Sequence, residues 1–390
     1  MRVTHVIKEF YPALGGGPIA TFRRVKELER LGVENTVITG NLLNPWTNSR
    51  IETGWAELNG VKVLRLPAIN PHPYYTIIRH ITKHLLDGRP DLIHLYGYGS
   101  YSTEVSAMKL RRSDIPIVFS PCGYFPLTKD LGKIRTAVFE SFSKRNTLMR
   151  ANRIFVDSNF EIGLFSRLAH YTKIVKIPGP SVGEDELSEV FEPDKFRTKY
   201  NIWENYFISI GRINVSKGFQ NVIRSISEFN KLNHENETRF VIAGTDQGYV
   251  SELLDLARKY GVEKQVVIIP NLPEDFKFPA LSGASAFLLP SFIESYGGVV
   301  GEAMAVGTPV VVTKFGGAHE RVINTQIGKA IDPENSKEMV SALNWALSLT
   351  SAQRQNMKTI YHNILREGHT VESSARLAFE QYREILGDDL

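Results

Sequence analysis

Residues 294–302 read ESYGGVVGE, with Glu294 and Glu302 eight positions apart around a turn of small residues. Two carboxylates can serve as a general acid/base pair, or they can grip two parts of one ligand. The stretch follows the apolar run AFLLP and leads into GEAMA, which is stopped by Gly307 with Pro309 beyond it. A glycine stop followed by proline is ordinary helix-end chemistry. Gly297, Gly298 and Val299 then lie near a helix N-terminus, whose free N–H groups suit an anion. Glu294 precedes that helix and Glu302 falls about one turn inside it. The two acids are therefore placed to reach opposite ends of a ligand lying over the Gly297–Gly298 turn. Ser295 and Tyr296 share that turn.

Two other loops carry residues of the same character. Gly211–Gly218 reads GRINVSKG, directly after the strand-like FISI. Its Arg212 offers a planar fork and its Lys217 a point charge, a combination suited to a diphosphate. Gly211 and Gly218 bracket the pair as a tight turn. Gly244 closes the next apolar run, FVIAG, where it can wall a base or ribose pocket. Near the N-terminus, LGGGPIA places Gly15, Gly17 and Ala20 in the dinucleotide pattern G-x-G-x-x-A. The segment KEFYPAL separates these glycines from their strand, and the following strand NTVITG ends without an acid for a ribose. Both details exclude an NAD site. What remains is a backbone, at Gly16 and Gly17, able to approach an anion beside a helix N-terminus.

The elements that position these loops recur with one rhythm. Short apolar runs occur at 3–7, 36–39, 61–66, 92–95, 117–120, 154–157 and 173–177, and again at 207–210, 240–243, 266–269, 286–289 and 310–313. Most are continuously apolar, as in strands buried on both faces of a parallel sheet. Helical patterns at 19–31, 220–232, 250–260 and 299–306 alternate with them. The expected class is α/β, with two doubly wound, Rossmann-like parallel sheets facing a cleft. The rhythm falters across 178–200, rich in proline and acid, which reads as the linker. The expected domains are a first over 1–190 and a second over 191–369. The amphipathic stretch 372–386, within a terminal helix over 370–390, is expected to pack back on the first.

Composition narrows the field. The chain has 390 residues, enough for two buried cores, and a formal net charge of +4 from 46 basic and 42 acidic residues. So small an excess argues against a dedicated nucleic-acid binder. A single cysteine, Cys122, rules out an internal disulfide and a cysteine zinc cage. No apolar run reaches the roughly 18–20 residues of a membrane span, and the N-terminus lacks a signal-peptide pattern, so a cytoplasmic protein is expected.

The stretch ESYGGVVGEAMAVGTPVV resembles the E-x7-E signature of the family 4 glycosyltransferases, retaining enzymes of the two-domain GT-B fold. GRINVSKG resembles that family's Gly-Arg…Lys-Gly phosphate loop, the N-terminal GGG its first-domain glycine loop, and FVIAG and KFGGAHERV fall in the family's order. The resemblance implies a nucleotide-diphosphate sugar donor, UDP- or GDP-linked, and no required metal or other cofactor. Arg212 and Lys217 would neutralise the diphosphate, Glu294 would hold donor-sugar hydroxyls and act with them in catalysis, and Glu302 would hold the ribose. Backbone at Gly297–Val299 would add N–H donors, and Gly16 and Gly17 would close over the diphosphate. Two positions are less settled. His94 in DLIHLYG matches a frequent family position at a strand end, or is a satisfied structural histidine. Cys122 in SPCG stands where many members carry histidine, so it touches the donor sugar or is a small buried hydrophobe.

The expected acceptor is a glycan, a lipid-linked molecule or a small molecule. Residues 129–153 hold seven Lys/Arg against two acids, interleaved with apolar residues. They read as a basic amphipathic face for an anionic membrane, or as a solvated helix with an ordinary core stripe. Two other functions compete with transfer: a GT-B sugar-nucleotide 2-epimerase, and a non-catalytic sugar-nucleotide sensor.

Overall fold

The computed structural model describes residues 1–13, 15–72, 75–123, 141–233, 238–323 and 327–387. Of the basic stretch 129–153, residues 129–140 lie outside the described part. The chain divides into two compact units, Met1–Pro180 with Val371–Leu390, and Ser181–Thr370.

The first unit is built on an eight-stranded sheet. From edge to edge it runs Ile174–Lys176, Arg153–Val156, Ile117–Ser120, Leu92–Tyr96, Arg2–Val6, Glu34–Gly40, Val61–Leu66 and Gly54–Leu58. All neighbours pair in parallel except the last, which is antiparallel to Val61–Leu66. Every residue of Leu92–Tyr96 is buried, as its unbroken apolar run requires of a strand covered on both faces. The order of strands reverses at Arg2–Val6, which has Glu34–Gly40 on one side and Leu92–Tyr96 on the other. The helix Gly16–Arg30 follows that strand. The terminal helix Val371–Leu386 returns to this unit and buries Ala375, Ala378 and Tyr382 in a cluster with Val3, Leu28 and Leu92.

The second unit carries a six-stranded, all-parallel sheet. Its order is Val266–Pro270, Arg239–Gly244, Tyr206–Ile210, Ala286–Leu289, Val310–Thr313 and Gly328–Ile331. The strand order reverses between Tyr206–Ile210 and Ala286–Leu289, and such a reversal opens a crevice at the strands' carboxyl ends. The helix Phe219–Leu232 shows why the sheet is covered. It places Phe219, Val222, Ile223, Ile226 and Phe229 on one buried stripe.

The passage from one unit to the other falls at Pro180–Ser181, inside the stretch 178–200 expected as the linker, and the remainder of the stretch belongs to the second unit. It forms the helices Glu184–Ser188 and Pro193–Tyr200, and Leu187 and Phe196 enter the core of the second unit. Pro193 sits where proline costs little, as the first residue of its helix. Among the described residues no helix is long and apolar enough to cross a membrane.

Candidate functional site

The loops that follow Tyr206–Ile210 and Ala286–Leu289 leave the second sheet on either side of its reversal, and they carry Lys217 and Glu294. The first loop turns through the short helix Val215–Lys217, capped by Asn214, whose side chain accepts from the Ser216 N–H. Gly218 ends it at φ 72°, and a Cβ there would lie 1.9 Å from the Pro290 carbonyl oxygen. Only glycine lets the two loops come this close. Phe292 N–H then donates to the Ser216 carbonyl at 3.0 Å, tying one loop to the other. At the base of the loop, Gly211 N–H donates to the Ala243 carbonyl at 2.9 Å, and Gly244 lies against Gly211.

The Lys217 ammonium meets Glu294 Oε2 at 2.5 Å, both side chains largely buried at 16% and 13% exposure. Ser291 Oγ donates to the same oxygen at 3.2 Å. Burial alone would raise the Glu294 carboxyl; Lys217, with Arg212 and Ser291, overrides it and holds it below the usual carboxylate range. Arg212 is exposed and makes no ion pair among the described residues, so its fork is available to an anion.

The backbone of Glu294 is held by the segment Phe315–Ala318. Glu294 N–H donates to the Phe315 carbonyl at 3.1 Å, and its carbonyl accepts from Gly317 N–H at 2.7 Å and Ala318 N–H at 3.2 Å. Gly316 makes this possible: at φ 105°, a Cβ on it would sit 2.1 Å from the Glu294 carbonyl oxygen.

Gly297, at φ 67°, caps the helix Gly298–Ala305. Arg321 braces the turn, its guanidinium donating to the carbonyls of Tyr296 and Gly297 and lying 4.5 Å over the Tyr296 ring. Tyr296 OH is hydrogen-bonded with His369 Nδ1 at 2.9 Å and Ser181 Oγ at 3.0 Å. A Cβ on Gly298 would meet no protein atom within 4 Å, so the space before the helix N-terminus is open. Val299 is half-buried. Ser295 is buried, and its hydroxyl has no hydrogen-bond partner among the described residues.

Glu302 lies on the inner face of the same helix, 8% exposed among Val300, Ala303 and Met304. Its Oε1 accepts from the Lys277 ammonium at 2.9 Å, while its Oε2 has no partner among the described residues. Glu294 and Glu302 thus answer to different cations.

The sequence model of the group 1 glycosyl transferases matches residues 191–361, and that of the glycosyl transferase 4-like domain matches residues 15–178. The chain belongs to the group 1, family 4-like glycosyltransferases. The glycogen synthase of Mycobacterium tuberculosis is 29% identical over 149 residues, covering 38% of this chain and 35% of that protein. The matched stretch thus spans about a third of the relative's length. Among solved structures, a sucrose-phosphate synthase from Thermosynechococcus elongatus superposes with TM-score 0.79 at 17% identity, covering 98% of each chain. The Anabaena protein HepE, solved in complex with UDP-glucose, superposes with TM-score 0.73 at 16% identity, covering 98% of this chain and all of that one. The fold shared with these glycosyltransferases is GT-B.

The remaining sequence-derived positions lie in the first unit. In this glycosyltransferase Gly16 and Gly17 open the helix Gly16–Arg30, and a Cβ on either would meet nothing within 4 Å. His94 is fully buried in mid-strand. Its Nδ1 is hydrogen-bonded with Tyr382 OH at 2.6 Å and its Nε2 with Ser120 Oγ at 2.8 Å. Both ring nitrogens are thus satisfied within the first unit. Cys122 stands at φ 56° in an exposed turn, while desolvation pushes its thiol up to about 12.

Sequence reasoning assigned no role to Lys277, Ser291, Gly316 or Arg321. Gly316 and Arg321 fall within KFGGAHERV, whose family order was visible although its work on Glu294 and Tyr296 was not. Lys277 had no signal at all, because nothing in EDFKFP marks a lysine that turns inward.

Proposed function

We propose that this protein moves a hexose-type sugar from a nucleotide-diphosphate sugar, UDP- or GDP-linked, to a hydroxyl of a glycan, lipid-linked or small-molecule acceptor, with retention at the anomeric carbon. The observation that carries the reading is the Lys217–Glu294 pair at the reversal of the second sheet, beside an open helix N-terminus and the exposed Arg212.

Cleaving the bond from sugar to phosphate leaves negative charge on the diphosphate and positive charge on the anomeric carbon. Arg212, Lys217 and the N–H groups at Gly298 and Val299 offset the first; preorganised donors of this kind are each worth about 10²–10³ in rate. Glu294, kept ionised by Lys217, accepts hydrogen bonds from the sugar's hydroxyls. Glu302 Oε2, lacking a protein partner among the described residues, accepts from a ribose hydroxyl. Gly211 and Gly244 line the nucleotide side, and the open backbone at Gly16 and Gly17 suits an anion at a helix N-terminus. In a retaining reaction of this kind the departing phosphate oxygen takes the acceptor's proton, so the site uses no separate nucleophile. The UDP-glucose found on HepE supports a donor of this class.

Transfer is tested by incubating the enzyme with UDP- and GDP-sugars and candidate acceptors, following nucleotide release and reading the product's anomeric configuration by NMR. An α-linked donor giving an α-linked product is expected. A β-linked product removes the retaining mechanism, and conversion of UDP-N-acetylglucosamine without acceptor establishes the epimerase instead. Donor binding is read separately, because a ligand of the folded state raises its melting temperature.

A lipid-linked acceptor would be met at the cytoplasmic membrane face. Exposed Phe142 and Met149, with Lys144 and Arg145 between them, support peripheral contact there. Salt-sensitive co-sedimentation with anionic vesicles is expected, and absence of binding at low salt removes the idea.

A further inference from the structure

Glu302 is a carboxylate on the core side of a helix whose neighbouring positions Val300, Ala303 and Met304 are fully buried. An acid so placed needs a fixed partner, since an unpaired buried charge is costly. Its partner is Lys277, on the helix Glu274–Ser282. The two side chains are 9% and 10% exposed, and the Lys277 ammonium donates to Glu302 Oε1 at 2.9 Å. The same ammonium also holds Glu274 and lies 5.4 Å from the Phe278 ring centre. One cation thus serves an exposed acid and a buried one. Burial works against the Lys277 charge, but the two acids outweigh it and keep the ammonium protonated.

The division of labour within Glu302 is the informative feature. Lys277 engages Oε1, while Oε2 finds no hydrogen-bond partner among the described residues. A carboxylate rotates freely about its terminal bond unless one oxygen is fixed. Fixing Oε1 points Oε2, with its lone pairs, in one direction. Close packing holds the helix itself, since a Cβ on Gly301 would collide with Ser181 at 2.4 Å.

We propose that Lys277 is a positioning residue that sets the ribose selectivity of this enzyme, by locking Glu302 so that Oε2 accepts from a ribose hydroxyl of the nucleotide. The inference rests on the reading of Glu302 as the ribose ligand. Lys277 does not touch the nucleotide. Its effect is confined to the discrimination between ribose and deoxyribose and leaves the diphosphate contacts of Arg212 and Lys217 in place.

The test compares dissociation constants, by calorimetry on the full chain, for UDP and GDP and their 2′-deoxy and 3′-deoxy counterparts. A hydrogen bond to a charged acceptor corresponds to about tenfold to hundredfold in affinity. The wild type is expected to prefer the ribonucleotide by that factor over at least one deoxy analogue. Glu302→Gln and Lys277→Met are each expected to bring the preference to within about threefold, with the deoxy analogue bound as well as by the wild type. If Glu302→Gln retains the preference, the ribose reading of Glu302 falls. If Glu302→Gln loses it and Lys277→Met retains it, Lys277 is not the positioning residue. Should Lys277→Met fail to fold, Lys277→Gln, whose amide ends one bond short of the lysine ammonium and so loses its hold on Oε1, carries the test: a preference reduced at least fivefold supports the proposal, and a smaller reduction overturns it.

Discussion

Lys217 and Glu294 are 77 residues apart in sequence and 2.5 Å apart in space. One ends the loop after the first strand of the second sheet, the other begins the loop after its fourth. The topology that reverses between those strands is what makes a cation from one loop and an acid from the other neighbours. The ion pair therefore couples the group expected to meet phosphate with the group expected to meet sugar.

This coupling makes a kinetic prediction. Lys217→Ala and Glu294→Gln are each expected to lower turnover by about 10²–10³-fold, and to cost about 1–3 kcal/mol of stability through loss of a charge-assisted bond. If Lys217 served only to hold Glu294, the double variant would be no worse than either single one. A direct contact to the leaving diphosphate predicts a further loss in the double variant, read from kcat/KM at saturating acceptor. Wild-type turnover in either single variant would remove that residue from the mechanism.

Three glycines of the proposed site can be tested for a binding role separately from their place in the fold. Gly16, Gly17 and Gly298 each stand at a helix start, with no protein atom close to where an alanine's methyl group would lie. Replacing glycine by alanine in a helix favours folding by up to about 1 kcal/mol. Gly17→Ala and Gly298→Ala are therefore expected to melt at or above the wild-type temperature while donor KM rises at least tenfold. Unchanged KM in both would return these positions to ordinary helix starts.

The strand pattern was legible because it follows from burial on both faces. The runs at 117–120, 286–289 and 310–313 coincide with strands, since near-continuous Val, Ile, Leu and Phe have few other uses at that length. The strand Gly54–Leu58 escaped notice because it is an exposed edge with no apolar alternation. Glu294, Arg212 and Lys217 were legible as types at loop positions, and Glu302 as an acid one turn into the helix that follows. Their pairing was not, because pairing is decided by strand order, which spacing along the chain does not encode. Lys277 and Arg321 were illegible for a related reason: a buried cation looks in sequence like a solvated one until its acid or carbonyl partner is brought to it.

Gly316 offers a test of how Glu294 is held without touching its carboxylate. A methyl group there would press on the Glu294 carbonyl, and a non-glycine residue at φ 105° is strained besides. Gly316→Ala is expected to cost about 1–3 kcal/mol and to lower kcat/KM for the donor by more than its melting temperature explains. Crystallography or hydrogen exchange over residues 291–298 would show the displaced loop. A variant with normal kinetics would mean that Glu294 needs no support from this segment.

The first unit should lose stability in mild acid. His5 and His94 are both fully buried, His5 hydrogen-bonded with Tyr96 OH at 3.0 Å and Asn35 Oδ1 at 2.9 Å. Burial, with Arg24 adding repulsion, lowers His5 to about 4 and His94 well below its ordinary value, the latter also repelled by His5. Above the unfolded value of about 6.5 both histidines are neutral in both states. Below it the unfolded chain takes up protons that the folded unit refuses, so stability falls as pH drops from about 6.5 towards 4. For His5 alone the loss approaches about 3 kcal/mol at 1.36 kcal/mol per unit. Hydrogen exchange of the strand Leu92–Tyr96 at pH 7.5, 6.5 and 5.5, corrected for intrinsic rates, should show protection falling faster than in Tyr206–Ile210 of the second unit. His5→Gln, which keeps hydrogen-bonding capacity without a titrating ring, should flatten that slope. Equal slopes in the two units would rule out these histidines as the cause, and an unchanged slope in His5→Gln would rule out His5.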